Sequence, residues 1–261
     1  DIQDKKSVSE VFARGIDMCV HLAAVADVTT SLVDPETTFD VNLVGTINLL
    51  ENARKNDVRF VFVSTCMVYE SASHPISESD PTKAVSPYAA SKLAGENITQ
   101  SYHNAYGLET LILRPFNTFG PYGVFERQTG EGGVILVFLK RVLDKQPPII
   151  FGDGTQIRDF LYVEDCAEFI VKAALSSATN GEIINAGSGR GISINQLAKL
   201  VAESQNPIYV RHPHAKCEIQ NLVCDPGKAK SLLGWVPTVS LEEGIAITRN
   251  WLIERRSSGV N

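Results

Sequence analysis

The chain of 261 residues carries 24 Lys and Arg against 30 Asp and Glu, a formal net charge of -6. Hydrophobic residues make up 44% and charged residues 21%, which excludes a disordered or fibrous chain and allows one large domain or two small ones. The acidic balance, with basic clusters no longer than pairs such as Lys5-Lys6 and Arg255-Arg256, argues against nucleic acid as a partner. No apolar run approaches the ~18 residues of a membrane span. The five cysteines (Cys19, Cys66, Cys166, Cys217, Cys224) are odd in number and form no C-x-x-C, which fits a reducing, cytoplasmic setting. His212, His214 and Cys217 lie close together, but their spacing matches no zinc pattern and reads as a polar loop. The sequence opens at Asp1 without Met or signal peptide, as the middle of a longer chain would.

Strand-length apolar runs alternate with amphipathic segments. Met18–Leu22 reads as a buried strand, and Thr37–Lys55 as a helix with Phe39, Asn42, Leu43, Thr46, Leu49, Leu50 and Ala53 on one side. Arg59–Val63 is a second strand. Pro87 opens a long helix, since its missing N–H would be unpaired at that position anyway, and Gly107 ends it. Leu108–Leu113 is a third strand. This alternation is the signature of a doubly wound parallel α/β sheet. A Gly- and Pro-rich loop is expected over Gly120–Gly133, a helix over Val134–Lys145, a turn at Gly152-Asp153-Gly154 and a strand over Arg158–Val163. Further expected elements are the helix Glu164–Ser176, the strand Ile183–Asn185 and the helices Ile194–Glu203, Lys228–Leu233 and Leu241–Arg255. With no repeat and no linker, the second region reads as a lobe packed on the sheet.

Tyr88-Ala89-Ala90-Ser91-Lys92 carries the chemistry. Tyr and Lys four apart on a helix lie one turn from each other on one face. A phenol is a poor base at neutral pH, but a neighbouring ammonium favours the phenolate, and so would an oxidised nicotinamide ring. The pair suits a general acid/base that takes the proton of an alcohol during hydride transfer. Upstream, strand Arg59–Val63 ends in Ser64-Thr65, which places a hydroxyl in the crevice where such sheets bind ligands. His21-Leu22-Ala23-Ala24 also ends a strand, and its small residues allow a ligand close to the backbone.

In this order these features, with Asn42 in Val41-Asn42-Leu43-Val44-Gly45-Thr46, Arg114-Pro115-Phe116-Asn117-Thr118-Phe119-Gly120-Pro121, Gly152–Phe160, Tyr162-Val163-x-Asp165, Asn185-Ala186-Gly187 and Leu233-Gly234-Trp235-x-Pro237, carry a resemblance. The chain resembles the extended short-chain dehydrogenase/reductases, in particular the NAD-dependent nucleotide-sugar epimerase/dehydratase group, from Asp1 to about Trp251. The resemblance implies a Rossmann-like sheet domain over 1–118 and 160–184, with a smaller α/β nucleotide-sugar-binding lobe over 119–159 and 185–261. It implies NAD as cofactor and a nucleotide-diphosphate sugar as substrate. By analogy it implies a homodimer through the helices Thr37–Lys55 and Pro87–Tyr106.

Roles follow position by position from that resemblance. Asp1 and Ile2 would contact the adenine, and Leu22, Ala23, Ala24 and Ser64 would lie along the cofactor. Tyr88 would be the acid/base, Lys92 would hold the nicotinamide ribose and tune Tyr88, and Thr65 would bind the sugar's C4 hydroxyl. Pro115 and Phe116 would line the nicotinamide. Asn117 and Arg158 would hold the diphosphate, because a guanidinium fork matches phosphate oxygens. Met67 and Glu218 would border the substrate. Plainer readings apply elsewhere. Asn42 reads as a buried brace, Asp165 as a helix N-terminal residue, Asp153-Gly154 as a turn and Trp235 as core.

The reaction turns on the two positions after Thr65. The family's 4,6-dehydratases hold Asp and Glu there to eliminate water, and this chain holds Cys66 and Met67. Met cannot transfer a proton. Cys66 is a candidate catalytic thiol, with a small apolar filler as its plainer reading. The pair fits an epimerase that rotates a transient 4-keto sugar. The alternatives are a dehydratase of the 4,6- or 5,6-type and a catalytically silent NAD-binding or regulatory relative. Two further departures are Glu70, where the family has Gly, read as solvent-facing, and Ala215, where many relatives have an arginine that His214 or Lys216 would replace. No G-x-x-G-x-x-G precedes His21. Relatives begin with roughly sixty more residues at ~30 per βαβ unit, so the sequence reads as a fragment or as the ordered part of a longer protein.

Overall fold

The computed structural model describes residues 1–121, 133–202 and 205–258. Helix α1 (Lys5–Phe12) starts at Asp4, whose carboxylate accepts hydrogen bonds from the Lys6 and Ser7 amides. Strand β1 (Met18–His21) is followed by α2 (Val28–Val33) and α3 (Pro35–Phe39), capped by Asp27 and Asp34. A π-helical turn, Asp40–Val44, joins α3 to α4 (Gly45–Asn56), and Asp57 in the left-handed region (φ 54°) ends it. Then come β2 (Arg59–Val63) and α5 (Pro87–Tyr106). As the sequence predicts, Pro87 occupies the first turn of α5 and Gly107 closes it at φ 69°. The Ser86 hydroxyl completes the N-terminal cap by accepting from the Ala89 amide.

Where the sequence predicts one regular helix over Thr37–Lys55, the π turn interrupts it. A wider turn holds about one more residue, so the buried face slips by one position upstream of it. Thr38 is therefore 0% exposed and Phe39 is 37% exposed, the reverse of what a regular helix predicts.

The remaining elements are β3 (Thr110–Pro115), β4 (Asn117–Phe119), α6 (Val134–Leu143), β5 (Ile149–Phe151), β6 (Ile157–Tyr162), α7 (Val163–Leu175) and β7 (Ile183–Ala186). They continue with β8 (Gly191–Ser193), α8 (Ile194–Ala202), β9 (Ile208–Val210), β10 (Asn221–Leu222), α9 (Gly227–Leu233) and α10 (Leu241–Ser257). Of the expected loop Gly120–Gly133, residues 122–132 lie outside the described residues, as does Glu203 at the end of the expected helix Ile194–Glu203.

Strands β1, β2, β3 and β7 form a parallel sheet in that order, with Val61 opposite Leu111 and Leu113 opposite Ile184. Alternate residues of β2 face opposite ways, as strand geometry requires. Val61 and Val63 pack with Phe169 and Ile170 of α7 and with Trp235. Phe60 and Phe62 pack with Val8 and Phe12 of α1 and with Leu49, Leu50 and Ala53 of α4. Helices on both faces make this the doubly wound α/β sheet that the sequence predicts. In a second sheet, β6 is central. It pairs in parallel with β10 and β4 and antiparallel with β8, while β5 and β9 form a separate parallel pair. Among the described residues no helix is long and apolar enough to cross a membrane.

Helix α5 lies directly on β2 because Gly95 has no side chain. A Cβ at that position would come within 2.5 Å of the Phe62 ring tip. Gly95→Ala is expected to destabilise the fold by about 1–3 kcal/mol through overpacking, read as a lower urea midpoint.

Candidate active site

Strand β2 carries Ser64 and Thr65, both buried, to its C-terminal end. Thr65 caps the short 3-10 turn Cys66–Val68, its Oγ1 accepting from the Met67 amide at 3.2 Å. That leaves the Thr65 hydroxyl proton for another acceptor. Tyr88 and Lys92 stand one turn apart on α5, both buried. Lys92 is 4% exposed and donates from Nζ to the Val63 carbonyl at 2.8 Å, with the ammonium 5.0 Å from the Phe62 ring centroid. Burial pushes the Lys92 amine down to about 8, while Glu96, one turn further on, pulls in the opposite direction.

The register of α5 is fixed from below. Asn42 Oδ1 accepts from the Val25 amide at 2.7 Å, and its Nδ2 donates to the Val25 carbonyl and to Ser91 Oγ. Ser91 Oγ in turn donates to the Tyr88 carbonyl. Asn42 is thus a buried brace between the segment after β1 and the turn that bears Tyr88. Thr46 donates its hydroxyl proton to the Asn42 carbonyl, so His21 Nε2, 2.9 Å from Thr46 Oγ1, must be the donor of that pair. Burial, with the Lys92 charge adding to it, pushes His21 down to about 4, which keeps it neutral.

A second buried network is not evident from the sequence. Arg114, at the end of β3, donates from Nε and Nη2 to the two carboxylate oxygens of Glu96, at 2.9 and 2.5 Å, and from Nη1 to Tyr69 Oη at 2.7 Å. Tyr69 Oη donates onward to Asn185 Oδ1 on β7. Burial alone would lower the Arg114 pKa, but the Glu96 hydrogen bonds and charge override it and raise it. A signal exists in the spacing, since Glu96 lies one helical turn beyond Lys92 and Arg114 stands on the neighbouring strand.

The residues expected along the cofactor are spread as follows. Leu22 is 58% exposed and Ala23 is exposed, both just past β1, so the expected strand Met18–Leu22 stops one residue early. Asp1 is exposed, its carboxylate accepting from the Gln3 amide. Ile2 packs on Gly45, where a Cβ would come within 2.6 Å of it, and its carbonyl accepts from Asn48. Pro115 is half-buried at the end of β3, and Phe116 is 1% exposed against Tyr69. Cys66 and Met67 are buried. Ser64 Oγ and Asn117 Oδ1 are buried and have no hydrogen-bond partner among the described residues. Orphaned polar atoms of this kind, beside a buried ammonium at the C-terminal edge of a parallel sheet, fit a polar dinucleotide in the crevice.

Arg158 and Glu218 come together as a part-buried ion pair, and Glu218 also meets His212 Nε2 at 2.7 Å. All three line a cavity of about 690 Å³ walled by α6, β5 and the 210–218 segment, with Val28 and Thr29 from α2. None of Thr65, Tyr88 and Lys92 lines this cavity. The plainer readings hold at four places. Asp153 accepts from the Thr155 amide and hydroxyl in a turn where Gly154 has φ 72°. Trp235 is buried 4.9 Å from the Phe169 ring, and Glu70 is exposed and paired with Lys83 at 3.1 Å. Asp165 sits in the first turn of α7 but does more than meet the helix dipole. Its carboxylate accepts from the Thr238 amide and hydroxyl and from the Val239 amide.

Glu96→Leu leaves the Arg114 charge buried without its carboxylate and is expected to cost about 3–5 kcal/mol by chemical denaturation. Lys92→Met removes a buried charge and should be no less stable than the parent at pH 7. In the parent, the unfolded lysine keeps its proton to 10.5 while the folded one loses it near 8. The fold therefore gains stability as pH rises between those values, and Lys92→Met should lack that gain.

Residues 1–187 match the model of the NAD dependent epimerase/dehydratase family. The chain is 36% identical to UDP-glucuronate 4-epimerase of Thermodesulfobacterium geofontis over 258 residues, covering 96% of this chain and 76% of that protein. Its structure is similar to the X-ray structure of Pal from Bacillus thuringiensis, with TM-score 0.94 and 48% identity over 97% of this chain and 82% of that one. It is also similar to the UDP-glucose 4-epimerase of Thermus thermophilus in complex with NAD, with TM-score 0.87 and 34% identity over 97% and 83% of the two chains. With these matches, the parallel sheet and the Thr65, Tyr88 and Lys92 side chains at its edge, the chain belongs to the NAD-dependent epimerase/dehydratase family of nucleotide-sugar enzymes.

Proposed function

We propose that the protein is a nucleotide-sugar epimerase that inverts C4 of an NDP-hexose or NDP-hexuronate through a transient 4-keto sugar. The observation that carries this reading is the turn after Thr65. Its first two residues, Cys66 and Met67, are buried and carry no carboxylate. Elimination of water across C5 and C6 needs a base for the C5 proton and an acid for the departing hydroxyl. A thioether supplies neither, and a lone thiol packed in the core does not supply both. Inversion at C4 needs only the groups that are present.

Ser64, Leu22, Ala23, Ala24, Pro115 and Phe116 would hold NAD, with Asp1 and Ile2 towards its adenine, and the bound cofactor would supply the hydride acceptor and donor for sugar C4. Tyr88 Oη takes the C4 hydroxyl proton and later returns one. Lys92 stabilises the phenolate by charge and holds a ribose hydroxyl with the N–H bonds that the Val63 carbonyl leaves over. Thr65 accepts a hydrogen bond from, or donates one to, the C4 oxygen according to its protonation. Asn117 and Arg158 hold the diphosphate while the keto sugar turns, and Met67 and Glu218 border the substrate. Cys66 fills the floor beside them. Dimerisation through the exposed sides of α4 and α5 accompanies this reading, since Val44, just before α4, and Tyr106, at the end of α5, lie open.

Incubated with NAD and UDP-glucose, UDP-N-acetylglucosamine or UDP-glucuronate, the protein should give a product of unchanged mass and inverted C4 by mass spectrometry and NMR. A product lighter by one water would replace the epimerase reading with a dehydratase. Tyr88→Phe should lower turnover by about 10²–10⁴-fold with an unaltered unfolding midpoint. If the parent binds NAD and turns over no nucleotide sugar, a non-catalytic NAD-binding role takes the place of both. Because the Lys92 amine lies near 8, kcat/KM should fall above that pH, in the direction of ammonium loss.

A further inference from the structure

The His212 ring has a determined tautomer. Its Nδ1 accepts a hydrogen bond from the His214 backbone amide at 3.0 Å, so that nitrogen carries no proton. Its Nε2 lies 2.7 Å from Glu218 Oε2, and only an Nε2–H can donate there. His212 is therefore neutral in this structure, and the charge of Glu218 is balanced by Arg158. The cavity wall at this point is an Arg–Glu pair of zero net charge with a neutral imidazole attached.

A nucleoside diphosphate diester brings two negative charges. If it takes hydrogen bonds from Arg158, it displaces part of the Glu218 pairing and sets phosphate beside carboxylate. Like charges at that range repel strongly unless a cation is added. Among the described residues, the other charged or titratable groups of the cavity wall are Arg141 on α6, and His214 and Cys217 on the same segment as His212. Arg211 and Lys216 are further neighbours along that segment. Of all these, only His212 already touches the carboxylate whose balance is upset.

We propose that His212 takes up a proton from solvent when a nucleotide-sugar diphosphate binds beside Arg158, and so becomes the second cation of the diphosphate subsite. The proton goes to Nδ1, since Nε2 already holds one. The His214 amide must then leave Nδ1, so the 212–214 backbone shifts as the ligand binds. His212 is a positioning residue that acts through Glu218. The inference rests on the reading of the cavity as the nucleotide-sugar site.

The test measures affinity for UDP-glucose and dTDP-glucose by calorimetry from pH 5.5 to 8.5, in buffers of different ionisation enthalpy. Both diphosphates are diesters and hold their charge across that range. The expected result is affinity that falls with rising pH, by at most about tenfold per pH unit for a single linked proton, with net proton uptake on binding near neutrality. His212→Gln should bind more weakly at pH 6, with a flat pH profile and no uptake, and His214→Gln should keep the slope of the parent. Affinity independent of pH in the parent, or an unchanged slope in His212→Gln, would overturn the inference and leave the nucleotide-sugar reading in place. Failure of the parent to bind either ligand at any pH would overturn both.

Discussion

Burying the Lys92 ammonium is unfavourable, and the chain's own contacts offset that cost only in part. One carbonyl hydrogen bond and the face of Phe62 stand against the desolvation of a full charge. Much of the sheet edge follows from this constraint. α5 must lie close enough to β2 for Lys92 to reach the Val63 carbonyl, and the bare Cα of Gly95 permits that approach. Glu96, one turn further along, favours the Lys92 charge against burial, although both its oxygens are bonded to Arg114. A pair that looks like a stability device is in this sense part of the electrostatics of the site.

The same economy joins the lobe to the sheet. Asp159 on β6 is fully buried and accepts from the Ser188 amide and hydroxyl, the Gly189 amide and the Cys224 amide. Burial raises its pKa against the pull of those four donors. Asp165 does similar work for the segment before α10. Each carboxylate satisfies backbone amides outside the named strands. The glycines around Ser188 are explained by closeness to Asp159 and Cys224, since a Cβ at Gly187 would collide with the Cys224 side chain. They are not a phosphate-binding loop.

Where packing repeats along an element, the sequence is a good guide. β2 and α5 are legible to the residue, because an unbroken Val/Phe run and a Pro–Gly pair mark their ends. Tyr88, Lys92 and Thr65 are legible because residue type and spacing coincide. Legibility fails where a structure depends on partners distant in sequence. β4, β5, β8, β9 and β10 are two or three residues long, too short for alternation to appear. The π turn at Asp40–Val44 exposes Phe39, and periodicity read at 3.6 residues cannot foresee it. Arg158 reads in sequence as a phosphate clamp and is found paired with Glu218, which two separate motifs could not reveal. His212 reads as loop, because its significance lies in the amide it accepts from and the carboxylate it meets.

Separation of binding from chemistry follows from these two sites taken together. At the Lys92 end, Thr65, Tyr88 and Lys92 are all buried, and that burial shifts the Lys92 pKa. The Arg158 end opens into a cavity of some 690 Å³, and its charges are already paired with each other. If the protein is the epimerase proposed above, its sugar must rotate between two faces of a cofactor and cannot be gripped at the reacting ring. The grip has to lie at the other end of the substrate, on charge that does not change during the reaction. A diphosphate is such a handle, and an ion pair that can exchange one anion for another is a suitable hold. On the epimerase reading proposed above, anchoring the nucleotide end and leaving buried Cys66 and Met67 without charged groups would give the sugar the freedom that inversion needs.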